Sequence, residues 1–368
     1  MKKKVLFVLE AFDKGGIEKV TLDIVNNLDK EKYDITVKTI WFGGHCQSKV
    51  KKHIKVEPFF KKYRKGIMKL FIYLPKKLLY KLYIKDKYDI EIAAGDGIPS
   101  RIIAGSSNKN SKKVSWIHMD VLKNGSKLKE LKDKNKANKF YKPFDLILCV
   151  SNDCKENFVR RFGYEEKCKV IYNPIPSQEI IDMSKEKIDI EFDHTIKNIV
   201  SVGRLVDEKG YDRLLKVHKK LICDGIKHNI YIIGDGKERD RLQKFINDNN
   251  LNDSIKLLGF KDNPYKYINK SDLLVVSSRN EAFSLVLVEA IILNIPVLST
   301  ICSGPRELLN NGEYGLLVDN SEEGLYMGLR EILENDEIYN YYKEKVFERG
   351  NIFNFKESIK IFENKILE

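Results

Sequence analysis

Short runs of Val, Ile and Leu, each followed by a stretch of helical period, recur along the whole chain, and nothing else in the sequence constrains the fold as strongly. A run that is apolar at consecutive positions must be covered on both faces, and a helix after every strand supplies the crossover that a parallel sheet requires. In the first half the runs are KVLFVL, DITVKTI, DIEIAAG, KVSWIHM and DLILCVS; in the second they are KNIVSVG, NIYIIGDG, SIKLLGF, DLLVVSS, IPVLST and GLLVD. Each set is enough for a doubly wound α/β sheet of its own. Between them, residues 172 to 198 (YNPIPSQEIIDMSKEKIDIEFDHTIKN) carry two prolines and turn polar and acidic, with no clear strand before Ile199. The expected division is therefore a first domain over 1–175, a second over 176–350, and a tail over 351–368. The tail has apolar residues at helical spacing and is expected to pack back on the first domain.

The length of 368 residues is natural for two domains, and 42% hydrophobic against 32% charged residues is a globular balance. No run approaches the roughly 20 apolar residues of a membrane-spanning helix. The basic start MKKK precedes only a short apolar run, and Glu10 and Asp13 follow, so it reads as a first buried strand rather than a signal peptide. Six cysteines lie scattered without CxxC pairs. That spacing predicts neither a disulfide framework nor a zinc site and points to a reducing cytoplasm.

The net charge of +13 is uneven. Residues 1 to 175 hold 39 Lys and Arg against 20 Asp and Glu, a surplus of 19, whereas the remainder is six charges negative. Only the first half is thus suited to an anionic surface. Within it, residues 59 to 88 (FFKKYRKGIMKLFIYLPKKLLYKLYIKDKY) interleave Lys and Arg with Phe, Tyr, Ile and Leu. That composition serves an ordinary basic surface helix or an interfacial one lying on anionic headgroups, and the charge asymmetry favours the membrane. No nucleic-acid recognition pattern accompanies it.

Chemistry concentrates in two loops of the second half. After NIVSVG comes GRLVDEKG, where Gly203 allows a tight turn and Arg204 and Lys209 place two cations at a strand end. In SSRNEAFSLVLVEAIILNIPVLST, residues 277 to 300, two carboxylates, Glu281 and Glu289, sit in an otherwise apolar stretch and require partners. The loop before LVLVEAIIL leads into a helix N-terminus, where free N–H groups favour an anion. If 281 to 289 are largely helical, the two acids lie about 12 Å apart, near the reach of a polyhydroxylated ligand. The plainer alternative pairs Glu289 with a core arginine and leaves Glu281 as an exposed acid at the helix start.

EAFSLVLVE resembles the paired-glutamate motif of retaining glycosyltransferases of family 4, built on the GT-B fold. SVGRLVDEKGYDRLL, YIIGDGKERDRLQ, LLGFKDNPYKYINKSDLLVVSSRNEAFSLVLVEA, PVLSTICSGPRELLNNGEYGLLVD, FDKGGIEKVTLDIVNNL and YNPI match that family in the same order over nearly the whole chain. The resemblance implies two Rossmann-like domains facing a central cleft. It gives Arg204 and Lys209 the role of neutralising the donor diphosphate, Glu289 that of holding the ribose, and Glu281 a place at the donor sugar. The backbone of Phe283, Ser284 and Leu285 would approach sugar and phosphate. Gly15 and Gly16 would form a glycine loop on the acceptor side, and His118, at a strand end in WIHMD, would point at the donor sugar.

The implied donor is a nucleotide sugar, most naturally a UDP-sugar carrying a hexose or N-acetylhexosamine. The implied acceptor is a polyprenyl-diphosphate-linked glycan of a bacterial surface polysaccharide, reached by a protein peripheral to the inner face of the cell membrane. No Asp-x-Asp motif for a divalent cation is found, so neither metal nor cofactor is expected. Three positions depart from the common pattern: Ala282 for Gly, Ser284 for Pro, and CSGPRELL where a double glycine is common, with Glu307 kept. A GT-B epimerase, a phosphorylase with a pyridoxal-phosphate lysine, and a non-catalytic glycan-binding scaffold are the rivals; no such lysine can be placed, and intact Arg204, Lys209, Glu281 and Glu289 speak against decay.

Overall fold

The structure, a computed structural model, describes every residue except 14, 63–65, 67–70, 123–127, 129–130, 351–352 and 368. It divides into two units, Met1–Pro174 with Phe355–Glu368, and Ile175–Asn354.

The first unit is built on seven parallel strands, β1 (Lys3–Leu9), β2 (Tyr33–Trp41), β3 (Lys55–Phe60), β4 (Ile90–Ala93), β5 (Lys112–Ile117), β6 (Leu146–Cys149) and β7 (Cys168–Val170). Their order in the sheet is β3-β2-β1-β4-β5-β6-β7. Five of them coincide with the apolar runs of the sequence. β3 and β7 do not, because KVEPFF is an edge strand with no fully buried side chain and CKV is only three residues long. β1 is third in this order, with Val8 paired to Lys38 on one side and to Ala93 on the other. The chain therefore winds first one way and then the other, reversing between β1 and β4.

The C-terminal segment belongs to this unit. Helix Phe355–Phe362 brings Phe362 against Phe7 and Trp116, at ring separations of 6.5 and 5.5 Å, and Lys3 Nζ donates to the Leu367 carbonyl at 2.9 Å. Of residues 59 to 88, the described part holds the end of β3 and the helix Lys76–Tyr83; 63–65 and 67–70 lie outside the described residues.

The second unit holds β8 (Lys197–Val202), β9 (His228–Ile233), β10 (Ile255–Gly259), β11 (Leu273–Val276), β12 (Val297–Thr300) and β13 (Leu316–Val318), all parallel, in the order β10-β9-β8-β11-β12-β13. All six are the runs read from the sequence, and the winding reverses between β8 and β11. The polar stretch before β8 is not wholly irregular, since Ser177–Ser184 is helical and buries Ile180. The core gathers the inward faces of helices Tyr211–Cys223 and Glu322–Glu334 on the sheet, with Leu214, Leu215, Leu221, Leu325 and Leu329 fully buried.

Beneath this core a polar chain is closed on itself. His218 Nδ1 meets His228 Nε2 at 2.8 Å, His218 Nε2 meets Ser254 Oγ at 2.8 Å, and His228 Nδ1 meets the Ile226 carbonyl at 3.0 Å. A carbonyl only accepts, so His228 Nδ1 carries the proton, and each later ring is fixed in one neutral tautomer. Burial pushes His218 down to about 3, with His228 adding to it, and burial pushes His228 down to about 4 against the pull of the Ile226 carbonyl. Both rings are thus lowered from the ordinary 6.5, so the unfolded chain takes up these protons first and stability is lost as the pH falls below 6.5. Between pH 6.5 and 5 the loss should be roughly 2 kcal/mol per ring. Chemical denaturation of the protein at pH 7, 6 and 5 should follow that slope, and a level profile would mean that the pair titrates as freely folded as unfolded.

Candidate functional site

The loops that follow β8 and β11 lie where the winding of the second sheet reverses, at the carboxyl ends of adjacent strands, which is where open α/β sheets take their ligands. Gly203 follows β8 directly. Its N–H donates to the Ile233 carbonyl at 2.9 Å, and a Cβ there would come 2.9 Å from the Tyr211 hydroxyl, so the turn has no room for a side chain. Arg204 is exposed, and no carboxylate among the described residues pairs with it. Lys209 ends a short 3-10 turn, Asp207–Lys209. Its ammonium meets Glu281 Oε2 at 2.5 Å, both groups only partly exposed, and the same oxygen accepts from Ser278 Oγ at 3.2 Å.

That is the partner Glu281 requires, and it corrects the local geometry expected from the sequence. Residues 281 to 284 are not helical; the helix runs Leu285–Ile292, so a separation counted along one helix axis does not apply. Glu289 is inside the helix and buried, with the Tyr265 hydroxyl 3.4 Å from its Oε1. Ser284 stands at the N-cap but its side chain caps nothing. The first N–H groups of the helix are therefore left for another acceptor. Phe283 and Ser284 are buried and Leu285 is half-buried.

A frame of long-range bonds, invisible in the sequence, holds this loop. Arg279 grips Asp212 with two bonds of 2.8 Å, holding the Asp212 carboxyl below its usual range, and its N–H donates to the Glu208 carbonyl. Arg213, buried, donates twice to the Ser277 carbonyl at 3.0 and 2.7 Å and once to Asn320 Oδ1 at 2.7 Å. Asn320 Nδ2 in turn donates to the Arg279 carbonyl. Arg279 stands in RNEAFS and Arg213 in GYDRLL, where each looks like surface charge; only their partners 67 and 107 residues away make them structural.

Gly304 completes the frame: its N–H donates to the Glu281 carbonyl at 3.0 Å, and a Cβ on it would come 2.7 Å from the backbone of both Ala282 and Phe283.

In the first unit, Gly15 caps and Gly16 opens the helix Gly16–Asn27 at the end of β1. Gly15 is extended, with φ −118°, so the backbone alone does not demand glycine there. His118 follows β5, its ring 4.6 Å from Trp116, and burial lowers it to about 3, which keeps the ring neutral. Its backbone N–H donates to Asp96 Oδ2 at 3.1 Å. Asp96 was not among the residues expected from the sequence. It lies at the end of β4 between Gly95 and Gly97, and burial raises it to about 7 against the N–H groups of His118, Met119 and its own backbone.

Four enclosed polar atoms in these strand-end loops have no hydrogen-bond partner among the described residues: His118 Nε2 and Asn173 Oδ1 in the first unit, Asn280 Oδ1 and Ser284 Oγ in the second. Buried polar atoms are rarely left unpaired, so each of the four is open to a ligand or a water. Among the described residues no group of three His, Cys, Asp or Glu side chains could hold a metal ion.

The profile described as Glycosyltransferase Family 4 matches residues 14–179, and that described as Glycosyl transferases group 1 matches residues 182–349. The chain belongs to the family 4 glycosyltransferases. Its two doubly wound sheets are the Rossmann-like domains of the GT-B fold.

Among curated relatives, the Campylobacter jejuni N-acetylgalactosamine-N,N'-diacetylbacillosaminyl-diphospho-undecaprenol 4-alpha-N-acetylgalactosaminyltransferase is 35% identical over 216 residues, 58% of this chain and 57% of that one. A Haemophilus influenzae glycosyltransferase is 26% identical over 92% of both chains. The match thus spans little more than half of the Campylobacter protein. The Rhizobium meliloti lipopolysaccharide core biosynthesis glycosyltransferase LpsE is 26% identical over 63% of this chain and 66% of its own. Among solved structures, Anabaena HepE in complex with UDP and glucose superposes with a TM-score of 0.78 over 99% of both chains at 19% identity. WaaG, a glycosyltransferase involved in lipopolysaccharide biosynthesis, does so with a TM-score of 0.72 at 17% identity, over 98% of this chain and 99% of its own.

Replacing Gly304 by Ala in this glycosyltransferase should force the Glu281 loop outward. Overpacking of this kind costs about 1–3 kcal/mol. The expected result is a lower unfolding midpoint together with weakened nucleotide binding by calorimetry; unaltered values of both would show that the loop yields freely.

Proposed function

We propose that the protein is a retaining glycosyltransferase that moves a hexose or N-acetylhexosamine from a UDP-sugar to a lipid-linked glycan acceptor in bacterial surface polysaccharide synthesis. The observation that carries the reading is the constellation at the ends of β8 and β11: an exposed Arg204, a Lys209–Glu281 pair, and an uncapped helix N-terminus with the unpartnered Ser284 hydroxyl beside it. Two cations and free N–H groups suit a diphosphate, and carboxylates suit vicinal hydroxyls. The names of the relatives support the acceptor class, and the UDP complex of HepE supports the donor class.

In this reading the acceptor oxygen bonds to the anomeric carbon as its bond to the diphosphate breaks, on the same face of the sugar. The acceptor proton passes to the departing phosphate, so no protein base is needed. Arg204 and Lys209 stabilise the charge that develops on the leaving group, in place of a metal ion. Glu281 hydrogen-bonds the donor sugar, Glu289 the ribose, and neutral His118 the sugar from the acceptor side. UDP should raise the unfolding midpoint by several degrees at a hundredfold excess over its Kd, equivalent to about 2.7 kcal/mol, with GDP and ADP ineffective. The shift should persist in EDTA and shrink at least tenfold in apparent affinity in Arg204→Ala. A shift that needs magnesium, or none with any nucleotide, would overturn the metal-free UDP reading.

The acceptor half also has a surface suited to anionic lipid. Helix Lys76–Tyr83 buries Leu79 and Tyr80, with Tyr80 OH donating to the buried Glu91 at 2.8 Å, and turns Leu78 and Leu82 outward at 44% and 52% exposure beside Lys77 and Lys81. Two exposed leucines between lysines fit an interfacial helix at the cytoplasmic face of the cell membrane. Among the described residues no helix is long and apolar enough to cross a membrane. Sedimentation with vesicles containing anionic phospholipid should be lost in the Lys77→Glu, Lys81→Glu double variant, and unchanged sedimentation would leave this an ordinary surface helix.

A further inference from the structure

The reversal of winding in the first sheet, between β1 and β4, lies beside a carboxyl group to which no role attaches so far. Asp96 sits on the loop after β4, next to the loop after β5 that carries His118. Its carboxylate accepts from the His118 N–H at 3.1 Å and from the Met119 N–H, so it is fixed against the end of the neighbouring strand. On its other flank, a Cβ at Gly95 would be 3.7 Å from Ile17, the residue after the Gly15–Gly16 loop at the end of β1. Three successive strand ends in space, β1, β4 and β5, thus contribute the glycine loop, Asp96 and His118. Beyond Gly97, with φ +85°, a Cβ would meet nothing within 4 Å, so the loop is open on the side away from the sheet.

We propose that Asp96 is a hydroxyl-binding residue of the acceptor site, which takes a hydrogen bond from a sugar hydroxyl of the incoming glycan beside the unpartnered His118 Nε2. The proposal deepens the functional reading above and rests on its assignment of the first unit to a glycan. A carboxylate has about four acceptor positions, and three backbone donors leave capacity for a ligand. Its neighbour supplies the complement, since a neutral imidazole offers one donor and one acceptor and His118 Nε2 is enclosed with neither role filled. A purely structural clasp between the β4 and β5 loops would be served as well by an asparagine, which accepts the same N–H bonds without a carboxyl held partly out of water. The acid is explained by a ligand with several hydroxyls, which a charged or easily charged oxygen binds more firmly than an amide.

Asp96→Asn keeps an oxygen for the His118 and Met119 N–H groups and so keeps the loop. The test uses the full-length protein with whichever of UDP-glucose, UDP-galactose, UDP-N-acetylglucosamine and UDP-N-acetylgalactosamine it hydrolyses fastest. The acceptors are short-chain isoprenyl-diphosphate glycosides bearing each of those sugars. The expected result for Asp96→Asn is an acceptor KM raised at least tenfold, with the unfolding midpoint and the hydrolysis of the donor by water within twofold of the original protein. Transfer with an unchanged acceptor KM overturns the assignment of Asp96 alone. Donor hydrolysis and donor KM falling in step with transfer overturns it too, by making Asp96 a residue of the donor side. A native protein that binds UDP and hydrolyses the donor but transfers to no glycoside overturns the acceptor reading, and this assignment with it.

Discussion

In a sheet made only of parallel strands, each strand must be followed by a crossover that brings the chain back before the next can begin. All loops leaving the carboxyl ends therefore gather along one edge, and where the winding reverses, two neighbouring loops diverge and leave a gap between them. Both units obey this constraint, and the chemistry follows it. At the ends of β8 and β11 stand Gly203, Arg204, Lys209 and Glu281, and at the ends of β1, β4 and β5 stand Gly15, Asp96 and His118. Lys209 and Glu281 are 72 residues apart in sequence. The winding makes them neighbours.

The Lys209–Glu281 pair is better understood as a positioned charge than as a source of stability. Partly exposed ion pairs add little to folding. This pair holds an ammonium from the loop after β8 against a carboxylate from the loop after β11. In the proposed function, a diphosphate would compete with Glu281 for Lys209 and a sugar hydroxyl with Lys209 for Glu281, so that only an intact nucleotide sugar would answer both charges at once.

The strands of the second unit were legible because all six are unbroken apolar runs with helices between them, and the local pattern suffices there. β3 and β7 were not, since an edge strand need not be apolar and a strand of three residues carries no period. Glu281 and Glu289 could be singled out because charge inside an apolar stretch is locally conspicuous, and Lys209 because it follows a glycine turn at a strand end. Arg213, Arg279, Asp212 and Asn320 could not: each lies on an amphipathic or polar segment where charge is the ordinary expectation, and only the folded chain brings their partners near. Asp96 escaped notice for a related reason, because a GDG triplet reads as a turn and its environment depends on where β5 ends. The helical reading of 281 to 284 failed because periodicity was extended across an N-cap: Ala282 and Phe283 are buried by the loop, not by a helix face.

Two of the departures from the common family pattern meet in space. Ala282 is buried, and Gly304 packs against its backbone closely enough that any side chain on residue 304 would collide with it. A methyl group at 282 reduces the room available in this loop, and Ser303 adds a buried side chain beside it. The remaining glycine of the usual pair is the one at the contact, where a side chain would meet backbone. Because the Glu281 carbonyl accepts from the N–H of that same Gly304, the backbone that carries the acid is held by this contact while its carboxylate is held by Lys209 and Ser278. Substitutions at 282 and 303, on either side of the contact, should then alter the contour of the loop without moving the acid.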